Sequence, residues 1–307
     1  MSFIPRHTQD VPGLSTGIRR LEEQFRNKFG HDLDYSNIWW TPPLSPREAF
    51  LLERSQIEHE LGIPGLVSLT DHDDIDAGLA VANFGSPVSV EWTVPMDPVF
   101  FHVGLHNIPP YLMPTLREIT ANPQPERVAE VLSELHANPE TLIILNHPLW
   151  DEIRAGQHMH RTRLSEFFSL YRPWIHALEL NGLRPMKENR AVMALADSLG
   201  LPAVSGGDRH GSEPNANINV TDAGTFEEFA GEIRSGRSEV VFLSQYRKSL
   251  YLRMLRVICD ALRKSEESDW NDRVFYKGQK LSEVMGSQAP GVIGQFIAVV
   301  RLAEVFL

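Results

Sequence analysis

The chain is poor in cysteine, in cationic side chains and in long apolar runs, and each shortage argues against a class of protein. Cys259 is the single cysteine among 307 residues, so an internal disulfide framework is excluded and a reducing compartment is expected. There are 29 Lys and Arg against 40 Asp and Glu, and the net charge is −11, which argues against binding to a nucleic-acid backbone. No segment approaches the roughly 18 consecutive apolar residues that span a bilayer, and the N-terminus lacks the apolar core of a signal peptide. We therefore expect a cytoplasmic protein that does not engage membranes.

Hydrophobic residues make up 42% of the chain and charged residues 22%, as in an ordinary folded protein. Short apolar runs bounded by Gly, Pro or Asp predict strands at 65–70, 87–92, 99–105, 141–146, 176–181, 201–206, 217–221 and 239–243. Helical spacing is found at 46–61, 75–83, 125–137, 162–170, 187–199 and 226–235. This alternation is typical of repeated β-α units around a parallel sheet.

The predicted fold is an α/β barrel. Eight strands would suit a closed barrel, but the connections are unequal and 88–105 reads as a hairpin, so we expect the barrel to be distorted. The helix at 46–61 is expected to begin with a capping box formed by Ser45 and Glu48.

Two domains are predicted from the change in composition near residue 244. The barrel domain would cover 1–243, with an atypical N-terminal segment at 1–44. Residues 244–307 would form a helical extension that packs on the barrel or makes the contact of a homo-oligomer. Its apolar helical stretch carries Cys259, which we expect to be a buried structural thiol.

Several predicted strands end on a side chain that can bind a metal. These side chains are His72, Glu91, His102, His147, Asp208 and His210. In a barrel of parallel strands, catalytic groups collect at the carboxyl ends of the strands. Imidazole nitrogen and carboxylate oxygen are suitable ligands for Zn, Mn or Fe, so the pattern predicts a metal centre at that end.

Structural alternatives remain for these positions. The acidic run from Asp71 to Asp74 could cap a helix. Glu91 could form a buried ion pair with an Arg, because a buried carboxylate needs a metal, a cation or a proton. His147 could be a core histidine bonded to a backbone carbonyl. Glu179 and Asn181 could orient a ligand or form a structural hydrogen-bond pair.

Taken in order, these motifs resemble the PHP (polymerase and histidinol phosphatase) family. The matching segments are Thr70-Asp71-His72-Asp73, Glu91, His102-Val103-Gly104-Leu105, Asn146-His147-Pro148, Glu179-Leu180-Asn181 and Gly207-Asp208-Arg209-His210. The resemblance covers about 45–222. It implies a distorted (β/α)7 barrel whose mouth holds one to three divalent metals used in phosphoester hydrolysis.

The resemblance also implies roles for individual residues. Glu91 would bridge two metals, with His102 and His147 on one of them. His72 and His210 would be ligands of another metal, and Asp208 would bind the metal that also shares Glu91.

One departure from the family pattern concerns its first strand, which carries His-x-His. No such motif precedes Ser45. Either 5–8 replaces the motif with its first His lost, or 6–10 is the segment that follows it, and His7 or Asp10 is then the candidate ligand. In both cases the metal shared by Asp208 and Glu91 loses one or both imidazoles. His158 and His160 are expected in a solvated loop.

The resemblance favours a metal-dependent phosphoesterase acting on a small phosphorylated molecule. His210 or Asp71 would act as the proton-transfer group. The arginines Arg154, Arg161, Arg184 and Arg209 are candidates to bind phosphate, because guanidinium makes bidentate contacts. The missing His-x-His motivates an alternative, a barrel that binds a metal or a phosphorylated ligand without turnover. A hydrolase of the amidohydrolase type is a third option, but it often uses a metal-bridging Lys, and no predicted strand ends on one.

Overall fold

The computed structural model describes residues 14–34, 38–40, 44–209, 212–250, 252–253 and 274–285. The chain divides into two compact units. The main unit comprises Ser45–Arg209 and Pro214–Leu250, and the smaller unit comprises Met1–Leu44, His210–Glu213 and Tyr251–Leu307. His7, His210 and Cys259 lie outside the described residues.

The described α-helices are α1 (Leu14–Phe29), α2 (Pro46–Leu61), α3 (Asp76–Val81), α4 (Met113–Ala121), α5 (Pro125–Ala137), α6 (Gln157–Tyr171), α7 (Met186–Leu199), α8 (Phe226–Arg234) and α9 (Leu281–Met285). The described strands are β1 (Ile38–Trp40), β2 (Ser89–Met96), β3 (Val99–His106), β4 (Leu142–Leu145), β5 (Ala177–Asn181), β6 (Ala203–Gly206), β7 (Asn217–Val220), β8 (Glu239–Phe242), β9 (Val274–Tyr276) and β10 (Gln279–Lys280). None of these helices combines the length and apolar character needed to cross a bilayer.

Helix α2 begins as its sequence predicts. The Ser45 side chain accepts the backbone N–H of Glu48, and the Glu48 carboxylate accepts the N–H of Ser45 at 2.7 Å. The helix ends at Gly62, whose φ of 68° lies in the left-handed region, where a residue without a Cβ is favoured. Local chemistry therefore fixes both ends of α2.

The main sheet has the order β2-β3-β4-β5-β6. Strands β2 and β3 form the predicted hairpin, with Glu91 opposite Gly104. Strand β3 also pairs antiparallel with β4, whereas the β4–β5 and β5–β6 pairs are parallel. The prediction of a parallel sheet is corrected to a mixed sheet, because the hairpin reverses the chain before β4.

A closed barrel is not seen among the described residues, so closure stays a prediction. The five-stranded sheet and the two-stranded β7–β8 sheet are separate in their backbone pairing. Side chains join them instead. The Asn219 amide accepts the N–H of Ser205 at 3.2 Å and donates to its hydroxyl at 2.9 Å, and Asn217 donates to the Leu180 carbonyl.

The prediction of a strand at 65–70 is wrong, because these residues do not form a regular strand. They are half-buried or exposed, and Leu66 is 38% exposed, so the run lacks a face packed in the core. Pairing begins only at its end. The N–H of Glu91 donates to the Asp71 carbonyl at 2.9 Å, and the N–H of Asp73 donates to the Glu91 carbonyl at 3.0 Å.

The core of the main unit is formed by β2 to β5 and α4 to α7. Trp92, Leu116 and Phe167 are fully buried there. Burial of side chains of this size contributes on the order of 1.5–3 kcal/mol each. A second apolar cluster, in which Ala230 and Ile233 of α8 contact β4, β5 and β6, covers the opposite face of the sheet. Both faces of the central strands are therefore packed.

In the smaller unit, β9 pairs with both β1 and β10 in an antiparallel sheet. The Phe25 ring of α1 lies 5.2 Å from the Tyr276 ring, and Lys28 donates to the Val284 carbonyl at 2.8 Å. Most of the predicted extension at 244–307 lies outside the described residues. The domain boundary and the homo-oligomer contact stay predictions.

Candidate metal centre

Glu91 and His102 lie on neighbouring strands of the hairpin and face the same side of the sheet. Glu91 is directly opposite Gly104, and His102 is two residues before Gly104, so the two side chains are diagonal neighbours. Gly104 leaves room for the side chain of Asn146, because a Cβ at this position would come within 2.9 Å of its Oδ1. The Asn146 amide donates to Glu91 Oε1 at 3.0 Å and orients that carboxylate.

His72 reaches the same place from the segment that bridges to β2. Backbone bonds of Asp71 and Asp73 to Glu91 hold this segment in place. His72 Nε2 lies 3.8 Å from Glu91 Oε2, while His102 Nδ1 lies 3.4 Å from Glu91 Oε1. The two oxygens of Glu91 therefore face different imidazoles.

His147 follows β4 and has a φ of 27°, a conformation that costs a non-glycine residue free energy and is often retained for function. One oxygen of Glu179, on the adjacent strand β5, accepts both the backbone N–H of His147 at 2.7 Å and its Nδ1–H at 3.0 Å. Because Nδ1 faces Glu179, Nε2 is the nitrogen that points toward His102 Nδ1, 3.1 Å away.

Three potential ligand atoms converge at this point. His102 Nδ1, His147 Nε2 and Glu91 Oε1 are separated by 3.1, 3.4 and 3.9 Å. A circle through these three atoms has a radius of about 2.0 Å, which is close to the Zn–N and Zn–O bond lengths. The second nitrogen of His102 is buried without a hydrogen-bond partner in the described part of the chain, so this ring interacts through Nδ1. These residues fit a divalent metal ion.

The charge states also suit a metal. Burial alone would raise the pKa of the Glu91 carboxyl, but His72, His102 and His147 hold that pKa below its ordinary range. Burial lowers the pKa of His102. Burial would lower the pKa of His147 as well, but its hydrogen bond to Glu179 raises that pKa to about 9. Glu91 and His102 are therefore already in the ionised and neutral forms that ligate metals, whereas His147 must release a proton.

Asp208 lies at the edge of this cluster, at the end of β6, with a φ of 42°. Its Oδ2 accepts from Asn181 at 3.0 Å and from Arg184 at 3.2 Å. Arg184 stacks on the Trp150 ring with its guanidinium carbon 3.7 Å from the ring centroid. The carboxylate that the family resemblance gives to a metal therefore contacts a guanidinium.

Gly206 has a different role from the one that its sequence context indicates. A Gly at a strand end can let the backbone approach a ligand. In the structure, a Cβ on Gly206 would overlap the Glu179 side chain. The missing side chain gives room to Glu179, which in turn holds His147.

Other predicted site residues are not brought to the cluster. Asp71 Oδ2 accepts the N–H of Ala77 at 3.0 Å and so caps α3, and Asp74 accepts from the N–H groups of Ile75 and Asp76. Arg209 forms an ion pair with Glu53 of α2 at 3.0 Å. Arg154 and Arg161 are exposed. The predicted roles of His7 and His210 stay predictions, since neither residue is described.

The prediction of a solvated loop around His158 and His160 is wrong, because both residues lie in α6. His158 is exposed, whereas His160 is 4% exposed with its ring 5.3 Å from the Phe101 ring. Glu152, which lies near His102, was missed in the sequence. It belongs to an irregular loop, where no periodicity marks a side chain that faces inward.

No protein-family model and no curated protein matches this sequence. Among solved structures, PsfC from Pseudomonas syringae PB-5123 is similar at 15% identity with a TM-score of 0.46, covering 67% of this chain and 86% of that one. An amidohydrolase from Chromobacterium violaceum, solved with sulfate and without metal, has 15% identity, a TM-score of 0.37 and coverage of 74% and 95%. A proposed metal-dependent phosphoesterase from Bifidobacterium adolescentis has 14% identity, a TM-score of 0.36 and coverage of 62% and 91%. Every TM-score is below 0.5, so these similarities do not establish a family, and a functional assignment depends on the site.

Proposed function

We propose that this protein is a divalent-metal-dependent phosphoesterase that acts on a small phosphorylated molecule. The observation that carries the proposal is the convergence of His102 Nδ1, His147 Nε2 and Glu91 Oε1, separated by 3.1 to 3.9 Å. These distances match those between ligands around one ion. Glu91, His102 and His147 are at least 92% buried, so the cluster is largely shielded from solvent.

A bound divalent ion would supply an activated water and offset negative charge on phosphoryl oxygens. Neighbouring residues orient the side chains that would hold this ion. Glu179 fixes the ring of His147, and Asn146 fixes the carboxylate of Glu91. Fixing ligand orientation in this way raises metal affinity, because less freedom is lost on binding.

Phosphate as the substrate group is supported by the position of Arg184 and by the resemblance to the PHP family. Arg184 is the one predicted phosphate-binding arginine that contacts the edge of the cluster, through Asp208. Its planar guanidinium suits two oxygens of a phosphoryl group. The contacts of Arg184 with Trp150 and Asp208 hold that plane in a defined orientation.

The Arg184–Asp208 pair also supports a second candidate function, binding of a metal or a phosphorylated ligand without turnover. If Arg184 keeps the Asp208 carboxylate occupied, one carboxylate fewer is available for a second ion. Hydrolysis that needs two ions would then be lost, while binding at His102 and His147 would remain.

Metal analysis and turnover together separate these candidates. The purified protein is analysed for bound metals and assayed with an aryl phosphate in the presence of Mn²⁺. The phosphoesterase proposal predicts at least one bound ion and hydrolysis that His147→Ala lowers by more than about 100-fold. His158→Ala, on the exposed face of α6, is the matched control and should leave both values unchanged. Bound metal without hydrolysis supports the second candidate, and absence of metal binding contradicts the phosphoesterase proposal.

A further inference from the structure

Glu152 brings a second carboxylate to the cluster. Its Oε2 lies 3.7 Å from His102 Nδ1. Together with His147, the two residues form a group whose potential ligand atoms all lie within 4.8 Å of one another. Neither the sequence motifs nor the family resemblance assigns a role to Glu152.

The loop that carries Glu152 is held by several hydrogen bonds. On its N-terminal side, the N–H of Trp150 donates to the His147 carbonyl at 2.9 Å. On its C-terminal side, the Asp151 carboxylate accepts the N–H groups of Ala155 at 3.0 Å and Gly156 at 2.7 Å. These bonds fix the backbone on both sides of Glu152, so the approach of its side chain to His102 follows from the fold of the loop.

The surroundings of Glu152 favour a cation. Its side chain is 29% exposed, and in the described part of the chain no Lys or Arg forms an ion pair with it. His102 Nδ1 lies 3.4 Å from Glu91 Oε1 and 3.7 Å from Glu152 Oε2, so two carboxylates face the same imidazole nitrogen. A carboxylate placed beside other carboxylates and beside imidazole lone pairs is stabilised when a metal ion lies between them.

The two side-chain groups that could hold a metal share His102, whose Nδ1 faces both Glu91 and Glu152. The first contains His72, Glu91 and His102, and the second contains His102, His147 and Glu152. The Nδ1 atom of His102 has a single lone pair and binds one ion at a time. The groups are therefore two sides of one centre, in which the charges of Glu91 and Glu152 would together balance a divalent ion.

We propose that Glu152 is a ligand of this metal centre, delivered by the loop after β4. The inference rests on the proposed function, since it requires that the centre binds a metal. In this arrangement Glu152 supplies the centre with an anionic ligand in addition to Glu91. A competing role for Glu152 is protonation of a leaving group, which would require the carboxyl but would leave metal affinity unchanged.

Metal affinity measured without turnover tests this proposal. The Kd for Mn²⁺ and Zn²⁺ is obtained by competition with a chromogenic chelator for the wild type, Glu152→Gln, Glu152→Asp and Glu188→Gln. Glu188 is the matched control, because its carboxyl is also half-buried near the cluster but pairs with Arg184 at 4.0 Å and, in the described part of the chain, forms no ion pair with a histidine. Co²⁺ absorption spectra of the same proteins report on the ligand set.

A ligand role predicts that Glu152→Gln raises the Kd by about tenfold or more and changes the Co²⁺ spectrum. Glu152→Asp should have an intermediate Kd, because it keeps the charge at a shorter reach, and Glu188→Gln should match the wild type. Thermal unfolding of the metal-free variants identifies a loss of fold, and the Asp variant then carries the test. Wild-type affinity and spectrum in Glu152→Gln would overturn the inference and leave the proposed function intact. Failure of the wild type to bind metal would overturn both.

Discussion

A single oxygen of Glu179 holds His147 by both its backbone and its ring. Oε2 accepts the N–H of His147 at 2.7 Å and its Nδ1–H at 3.0 Å. The first bond stabilises the left-handed backbone of His147, and the second keeps a proton on Nδ1, so Nε2 is the nitrogen that would bind a metal after it releases its proton. The position and the chemistry of one proposed ligand therefore depend on the same carboxylate.

Glu179→Gln should weaken metal binding without removing a ligand. The amide can still accept one hydrogen bond, but it provides no negative charge for the imidazole. Loss of such a carboxylate partner typically costs about 10- to 100-fold in metal affinity. Chelator competition measures the change. An unchanged Kd for Glu179→Gln would show that Glu179 does not act through His147.

Gly206→Ala should also disturb the contact between Glu179 and His147, in this case through a steric clash. A Cβ on Gly206 would overlap the Glu179 side chain, so Glu179 must move away from His147. We expect metal affinity to fall by about tenfold and the free energy of unfolding to fall by about 1–3 kcal/mol. Urea unfolding and metal titration check both effects.

Gly231→Ala in α8 is the control for this substitution. Its Cβ would meet nothing within 4 Å, so the change should stabilise the helix by up to about 1 kcal/mol and leave metal affinity unaltered. Equal behaviour of the two variants would contradict the contact between Gly206 and Glu179.

Stability should fall on acidification because of His176, which is remote from the proposed ligands. Its Nδ1 accepts the N–H of Ile143 at 2.9 Å, so Nε2 carries the proton and donates to His136 at 2.8 Å. Burial, with Arg234 and His136 nearby, lowers the pKa of His176 from 6.5 to about 3. The unfolded chain then binds a proton that the folded protein does not, so stability decreases as the pH falls from 6.5 toward 3.

His176→Asn isolates this contribution, because Asn Oδ1 can accept the N–H of Ile143 and does not titrate. Urea unfolding at a series of pH values should give a shallower pH dependence for the variant than for the wild type. Identical slopes would mean that the pKa of His176 does not change on folding.

The Arg184–Asp208 pair should be important for stability. Each side chain is 6% exposed, and removal of one partner of a buried pair commonly costs about 3–5 kcal/mol. Arg184→Met should therefore destabilise the protein, and the double variant Arg184→Met/Asp208→Asn should recover part of the loss. Urea unfolding of the two single variants and the double variant gives the coupling energy. Additive effects would show that the two side chains are energetically independent.

The sequence predicts elements well where local chemistry decides them. The capping box is formed by Ser45 and Glu48, which lie within four residues of each other. The β2–β3 hairpin is marked by two apolar runs joined by a short turn. Helix α4 is not among the helices predicted from sequence, although Pro110 and Pro114 mark the start of its segment. The path of 65–70 was mispredicted because backbone pairing with Glu91, which is distant in sequence, begins only at Asp71.

Within the site, the sequence finds residues that follow a strand and misses those placed by tertiary contacts. His102 and His147 could be found because a strand precedes or contains them. Arg209 follows Asp208 directly, and the structure directs its side chain to Glu53 of α2 instead of to the cluster, a contact between residues that are far apart in the sequence. Glu152 depends on the fold of its loop, which no local pattern reveals.

Anomalous scattering from crystals grown with Mn²⁺ tests the central claim most directly. The account predicts a peak at about 2.0–2.3 Å from His102 Nδ1, His147 Nε2 and Glu91 Oε1, together with the loss of the 3.1 Å hydrogen bond between the two imidazoles. A map with no peak at these atoms, and with His102 still hydrogen-bonded to His147 at saturating Mn²⁺, would contradict it.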